Sequence, residues 1–355
     1  MNARQAVLAT LKHQPIEFIP GCSFFSTHQS QLQLIGDLGN DPIDYEIKLA
    51  KATQSCMVPV YGNMRARVVE KNENSQICQM DNGTRRLVVF KPEWYYETLS
   101  RPMDGHKDLS RLGLPDVNSY PDYWENNTKY VKAFIKNGLF TYGTIDGFYA
   151  GIWEHCRQID EFLMDLAEGS SFAEELVNMW GSFMYACAGK LLECGVDCVK
   201  WTDDLGSNTG PLMSPECYRK YFFPWHKHTA QLIHQHGKIA MMHSHGNINM
   251  LLPNIVETGI DVLDPVGPSD GMDLKALKEK YGKHLSFSGG ISRFIADMSL
   301  DELKAHLEEV YRVGSKGGGF IPVEEGGVPK DMPKDMFEKY LQIRKEMSIK
   351  YAPGL

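Results

Sequence analysis

His243-Ser244-His245 is the stretch whose residue types and spacing point most directly to chemistry. The run Ile239-Ala240-Met241-Met242 leads into it from Gly237 and reads as a buried parallel strand over residues 238–243. Residues i and i+2 of a strand project from one face, so the two imidazoles converge beside the Gly246-Asn247 turn. Such a pair suits two ligands of a metal ion, although either histidine alone serves equally well as a turn cap or a buried imidazole. A third donor is available from Glu324-Glu325, at the end of the last expected strand. Neighbouring strand residues face opposite ways, so one of these two acids joins the site, and Glu325 is the assignment made here. Two imidazoles and a carboxylate form an open zinc site whose fourth position takes water or substrate.

These residues need a frame that brings distant strand ends together. Strands and helices alternate after Tyr120. Helices are expected over 120–136, 171–194, 214–235, 248–257, 274–281 and 300–314, with strands at 139–144, 198–201, 238–243, 262–265, 285–290 and 320–323. This repeat implies a parallel sheet closed into a (β/α)8 TIM barrel, with an N-terminal extension. The extension holds helices over 3–12 and 42–54 and a short strand at Ile16-Glu17-Phe18-Ile19, bracketed by Pro15 and Pro20. Between residues 56 and 101, runs of β formers separated by Asn-rich turns and Asn82-Gly83 predict an inserted antiparallel meander within a single-domain barrel.

Barrel chemistry sits at the C-terminal ends of the strands. Here those ends carry Asp146, Asp203-Asp204, His243-Ser244-His245, Asp264, Ser288-Gly289-Gly290 and Glu324-Glu325. Any one cluster is explained by helix capping; six in succession argue for an enzyme. Asp203, Asp204 and Asp146 are the candidate catalytic acids, expected to orient substrate or the metal's neighbours. Tyr142, Phe148, Tyr149 and Trp201 either wall a substrate pocket or pack in the barrel core, and Asn247 is grouped with them as substrate-binding.

Composition narrows the partners. A 355-residue chain with 43% hydrophobic and 23% charged residues can bury a large core. A net charge of -8 argues against nucleic acid or an anionic membrane as a general partner. No apolar run is long enough to span a bilayer, and the N-terminus lacks a signal-peptide core. The eight cysteines contain no Cys-x-x-Cys pair and fit reduced, buried thiols of a cytoplasmic protein.

With these residues in hand, the chain resembles the uroporphyrinogen decarboxylase superfamily from about Ala3 to the last helix. The resemblance is carried by Asp203-Asp204-Leu205-Gly206-Ser207-Asn208 through Ser214-Pro215, by His243-Ser244-His245-Gly246-Asn247, by Gly259-Ile260-Asp261-Val262-Leu263-Asp264-Pro265, by Gly289-Gly290-Ile291, and by Gly317-Gly318-Gly319-Phe320. The decarboxylases of that superfamily carry an N-terminal Arg-Gln-Ala-Gly-Arg motif. The corresponding segment here, Gly21-Cys22-Ser23-Phe24-Phe25-Ser26-Thr27, has no arginine. The other branch comprises corrinoid-dependent methyltransferases, which hold zinc with a His-x-Cys pair and a later cysteine. By position His243 matches the histidine, His245 replaces the first cysteine and Glu325 the second. Replacing thiolates with imidazole and carboxylate leaves zinc harder, which suits an oxygen substrate better than a thiol.

The resemblance therefore implies a zinc-dependent O-demethylase component. It would move methyl from a small-molecule donor, a methoxylated and expectedly aromatic compound, to cob(I)alamin. The chain has no Asp-x-His-x-x-Gly segment, so the cobalamin would belong to a partner corrinoid protein. A methylcorrinoid:thiol methyltransferase of the coenzyme M type and a metal-free lyase are the alternatives, and a homodimer is an assembly open to such a barrel.

Overall fold

The computed structural model describes residues 1–25, 27–91 and 94–352; Ser26, Pro92, Glu93 and Pro353 to Leu355 lie outside the described residues. Its strands are β1 (Met57–Tyr61), β2 (Ala66–Lys71), β3 (Ser75–Met80), β4 (Arg85–Val89), β5 (Tyr95–Ser100), β6 (Phe140–Asp146), β7 (Cys198–Thr202), β8 (Ile239–His243), β9 (Val262–Val266), β10 (Ser286–Ile291) and β11 (Phe320–Glu324). Seven of them form one parallel sheet in the order β1-β6-β7-β8-β9-β10-β11. Apart from the meander strands β2 to β5 inserted after β1, each neighbour follows in sequence, as a barrel requires.

The eighth position, between β11 and β1, is filled by an extended segment too short to count as a strand. Gly21 bridges Ser55 and Phe25 bridges Val328, both in parallel. Cys22 N donates to Pro322 O (3.2 Å), and Cys56 N donates to Gly21 O (2.8 Å). The expected strand at 16–19 is therefore displaced toward the C-terminus, past Pro20, where amides on both sides find partners. The fold is a TIM-barrel-like α/β architecture with an antiparallel meander set apart from the main sheet.

Inward-pointing side chains fill the barrel's interior: Met57, Phe140, Cys198, Met241, Val262, Ile321 and Val323 meet in one apolar cluster with Cys22 and Val7. Val7 comes from the N-terminal helix Ala3–Leu11, which plugs the barrel floor. That helix is tied down by Arg4, whose guanidinium donates twice to the buried Asp197 (2.9 and 2.7 Å).

Several boundaries differ from the sequence reading, each for a local reason. Met57–Tyr61 is a barrel strand, so the meander is the four-stranded sheet β2-β3-β4-β5, Ala66 to Ser100, rather than 56–101. Its Asn82-Gly83 turn places Gly83 at φ 93, a conformation that suits glycine. The meander is pinned to the barrel by Asn82 Nδ2 (2.8 Å) and Thr84 Oγ1 (2.5 Å), which both donate to His155 O. The helix expected over 214–235 breaks at Phe222 into Pro215–Tyr221 and Phe223–Gln235, because Pro224 opens a new first turn. The helix after β8 is Leu252–Glu257, starting at Pro253's turn rather than at Ile248. All eight cysteines are free. No helix of the described residues is long and apolar enough to cross a membrane.

Candidate active site

His243 is the last residue of β8. Its Nδ1 lies 2.7 Å from Asp264 Oδ2, and Asp264 Oδ1 accepts a 2.6 Å hydrogen bond from Ser288 Oγ. Lys200 Nζ stands 3.6 Å from the same carboxylate. Burial would raise the Asp264 carboxyl, but Lys200 and His243 outweigh it and hold the group well below the usual carboxylate range. An ionised Asp264 fixes the Nδ1 proton on His243 and leaves Nε2 free at the mouth, 3.8 Å from Asp204 Oδ1.

His245 lies one residue beyond the strand's turn, its ring 4.8 Å from that of His243 and nearly perpendicular to it. Two contacts fix the turn. Asp204 Oδ1 accepts from His245 N (2.9 Å). Gly246 adopts φ 83 and backs onto Gly206 so closely that a Cβ would fall 2.2 Å from its carbonyl carbon. His245 Nδ1 is 3.3 Å from Asp270 Oδ2. His245, Asp270 and Glu325 bring one donor atom each within 4.8 Å of one another, the one such three-residue cluster among the described residues. His243 stands beside this cluster, engaged with Asp264.

The donor set fits a divalent cation. The Asp270 and Glu325 side chains are 5% and 0% exposed, and one half-exposed guanidinium, Arg293, is their nearby positive charge (2.5 Å from Glu325, 3.7 Å from Asp270). Burial would raise Glu325, but donation from Arg293 and Ser269 holds it below its ordinary value. Tetrahedral zinc sets its ligand atoms about 3.4 Å apart, so a small contraction of the cluster suffices. Glu324, buried on the other face of the strand end, is engaged through Oε1, while its Oε2 has no hydrogen-bond partner and the residue lines a small cavity with Lys200, His243 and Asp264. Its carboxylate accepts from Ser23 Oγ (2.6 Å), Tyr340 OH and Arg344 (3.0 Å).

The other expected site residues divide by direction. Asp204, with a 43% exposed side chain, and Asp146 face the mouth. Asp146 exchanges hydrogen bonds with Asn63 (2.9 and 3.2 Å) and lies 3.1 Å from His155 Nε2. Asp203 does not reach the mouth. It is 0% exposed and accepts from the backbone N–H groups of Phe148 (3.1 Å), Tyr149 (2.7 Å) and Ala150 (2.8 Å), and pairs with His226 Nε2 (2.7 Å). It is a positioning residue that clamps the loop after β6. Phe148, Tyr149 and Trp201 are likewise buried between strands and helices, against His226, Phe162 and Phe222. Asn247 organises its own turn, donating to Ser207 O (2.8 Å) and accepting from Asn249. Of the expected wall residues, Tyr142 lines a cavity.

That cavity, of about 440 Å³, runs from His243 and Lys200 past Tyr142 and Met57 to the helix Pro42–Thr53. A second, open cavity of about 460 Å³ lies over His245, Asp270, Arg293 and Glu325. On the helix, Glu46 shares the cavity face with Leu49 and Ala50, at i+3 and i+4. Burial pushes the Glu46 carboxyl up to about 7 from 4.5. An acid raised in this way is protonated longer when folded, so stability falls as pH rises from about 4.5 to about 7 and stays low above. Glu46→Gln is therefore expected to be more stable than the parent at pH 8, on the order of 2 kcal/mol, with the gap closing toward pH 5. Urea denaturation at the two pH values checks this; a gap independent of pH would contradict it.

Residues 153–347 match the family model described as uroporphyrinogen decarboxylase (URO-D), which spans more than half of the chain. The chain belongs to the URO-D family. Among solved structures, a methyltransferase from Methanosarcina mazei superposes with a TM-score of 0.72 at 17% identity, covering 98% of this chain and 99% of that one. A B12-independent methionine synthase from a Shewanella species (TM-score 0.47, 9% identity, 95% and 94% covered) and a D-psicose 3-epimerase from Clostridium cellulolyticum (0.47, 10%, 92% and 98%) are more distant. At these identities the likeness is one of fold. No curated protein sequence matches. In this URO-D family member all three clustered donors fall inside the matched segment. The sequence reading missed Asp270, Lys200 and Glu46. Lys200 was findable, because strand alternation puts it on the lumen side with Cys198. Asp270 sits in the short 3-10 turn Pro268–Asp270 and Glu46 on an unremarkable helix, with no motif to mark either.

Proposed function

We propose that this protein is a zinc-dependent methyltransferase that takes a methyl group from a methoxylated aromatic substrate and delivers it to the cob(I)alamin of a separate corrinoid protein. The observation that carries the reading is the donor set at the barrel mouth, in which His245, Asp270 and Glu325 cluster beside His243 with no thiolate among them. Cys22 lines the adjoining cavity, but burial pushes its thiol up to about 12, so it stays protonated. Family membership and the fold shared with the Methanosarcina mazei methyltransferase support the same class.

Bound at His245, Asp270 and Glu325, with His243 adjacent, zinc would supply Lewis acidity toward the ether oxygen. The chain's residues do the rest. The cavity's aromatic wall, including Tyr142, holds the ring. Lys200 Nζ, at the junction of cavity and mouth, presents a positive charge to the oxygen as it becomes a phenolate. Asp264 holds the Nδ1 proton of His243 so that the imidazole keeps one orientation. On this reading the methyl carbon–oxygen bond breaks with its electron pair left on oxygen, where Lys200 meets the charge and solvent protonates the phenolate; the partner's cob(I)alamin would supply the electron pair that takes up the methyl group.

Mixing the purified protein with a reduced corrinoid protein and a methoxylated arene is expected to convert the Co(I) absorbance to that of methyl-Co(III). Chelation should stop the conversion and added zinc restore it. Turnover with thiols alone, run in the reverse direction, would instead favour the thiol methyltransferase.

A further inference from the structure

Glu46 is an anomaly that the proposed chemistry does not use. It occupies the inward face of the helix Pro42–Thr53, where Leu49 and Ala50 are its neighbours, and it looks into the 440 Å³ cavity. Burial is the sole influence that moves its carboxyl from the ordinary value, and no cation compensates it. An acid at such a position is destabilising unless something in the cavity uses it. Around it the wall is aromatic, with Phe24, Tyr45, Tyr61 and Tyr142. The opposite end of the same cavity carries Lys200 and His243.

We infer that Glu46 is the specificity-determining residue of the substrate cavity, accepting a hydrogen bond from a hydroxyl on the substrate's ring. The inference rests on the methoxyarene reading and deepens it: the preferred substrate is a methoxyphenol with a free hydroxyl, not a fully etherified ring. The cavity lining joins Lys200 and His243 at the strand ends, Glu46 on the helix Pro42–Thr53, and an aromatic and apolar wall that includes Met57, Tyr61 and Tyr142. A ring entering with its methoxy group toward Lys200 and His243 leaves its far edge facing the helix. Lys200 in the same cavity disfavours a cationic substituent, so the donor met by Glu46 is a neutral hydroxyl. A site built around an acceptor rejects a ligand that cannot satisfy it, because the buried carboxylate then loses water without gaining a partner.

The test uses the zinc-loaded full chain, two probes of the same ring, 2-methoxyphenol and 1,2-dimethoxybenzene, and isothermal titration calorimetry. The parent protein is expected to bind 2-methoxyphenol at least about tenfold more tightly, and Glu46→Met, which has no oxygen acceptor, to lose most of that preference. Equal binding of the two probes by the parent overturns the inference without any variant, and so does a preference that survives in Glu46→Met. The corrinoid assay separates the two levels. Methyl transfer from both probes with no preference leaves the proposed function standing and removes the role of Glu46. Absence of binding and turnover with either probe removes both.

Discussion

Replacing Glu325 by Ala is expected to release the metal and lower methyl transfer by more than about a hundredfold. Glu325 has a fully buried carboxylate and holds Ser269 and Arg293 at 2.5 Å each. Without it, Asp270 and His245 remain with a half-exposed arginine, which is too little to keep a divalent cation against solvent. The informative contrast is with His243. Because His243 is committed to Asp264 while His245 approaches Asp270, His245→Ala and Asp270→Ala should lose metal as Glu325→Ala does. His243→Ala should retain more metal than any of these and lose activity instead. Elemental analysis of the four purified variants, alongside rates, decides it. If His243→Ala empties the site and Asp270→Ala does not, the ligand set is His243, His245 and Glu325.

Asp203→Ala is expected to cost on the order of 3–5 kcal/mol of folding stability. The carboxylate satisfies three successive backbone N–H groups and a histidine at a site with no water access. Gly147, just before that loop, leaves no room for a side chain: a Cβ there would lie 2.1 Å from Asp203 Oδ1. Removal therefore leaves buried donors stranded and frees the loop that leads from Asp146. Denaturant titration gives the loss, and rates measured under fully folding conditions should fall much less than for Glu325→Ala. A variant of unchanged stability with no activity would instead make Asp203 catalytic.

Strand alternation explains most of what the sequence revealed and where reading it went astray. On β7, Cys198, Lys200 and Thr202 face the lumen, and the same alternation carries Asp204 into the mouth; Trp201 and Asp203 face the helices. Trp201 takes the barrel-core place that stood open to it beside a pocket wall, and of the acid pair it is Asp204 that faces the mouth. Applied to β11, the rule favours Glu325 over Glu324, since Ile321 and Val323 are lumen residues. The helix expected over roughly 171–194 is Ser171–Cys194, which the structure shows capped by Ser170 and ended at Gly195. Met57–Tyr61 was absorbed into the meander because it is equally rich in β formers, and nothing local says which sheet it joins. The closing segment near Gly21 is visible only through its long-range partners.

The clustered donors and most of the cavity wall come from different parts of the chain. Every clustered donor lies between His245 and Glu325, within the family-matched segment. Phe24, Glu46, Met57, Tyr61 and Tyr142 of the cavity lining precede residue 153, whereas Lys200, Thr202 and His243 of the same lining fall inside the matched segment. On the proposed reading, most of the wall that would select a substrate is thus encoded apart from the three clustered donors, with Lys200 and His243 belonging to both the lining and the matched segment. On that reading, substitutions in the first 150 or so residues are expected to retune the accepted substrate while leaving the donor cluster unchanged.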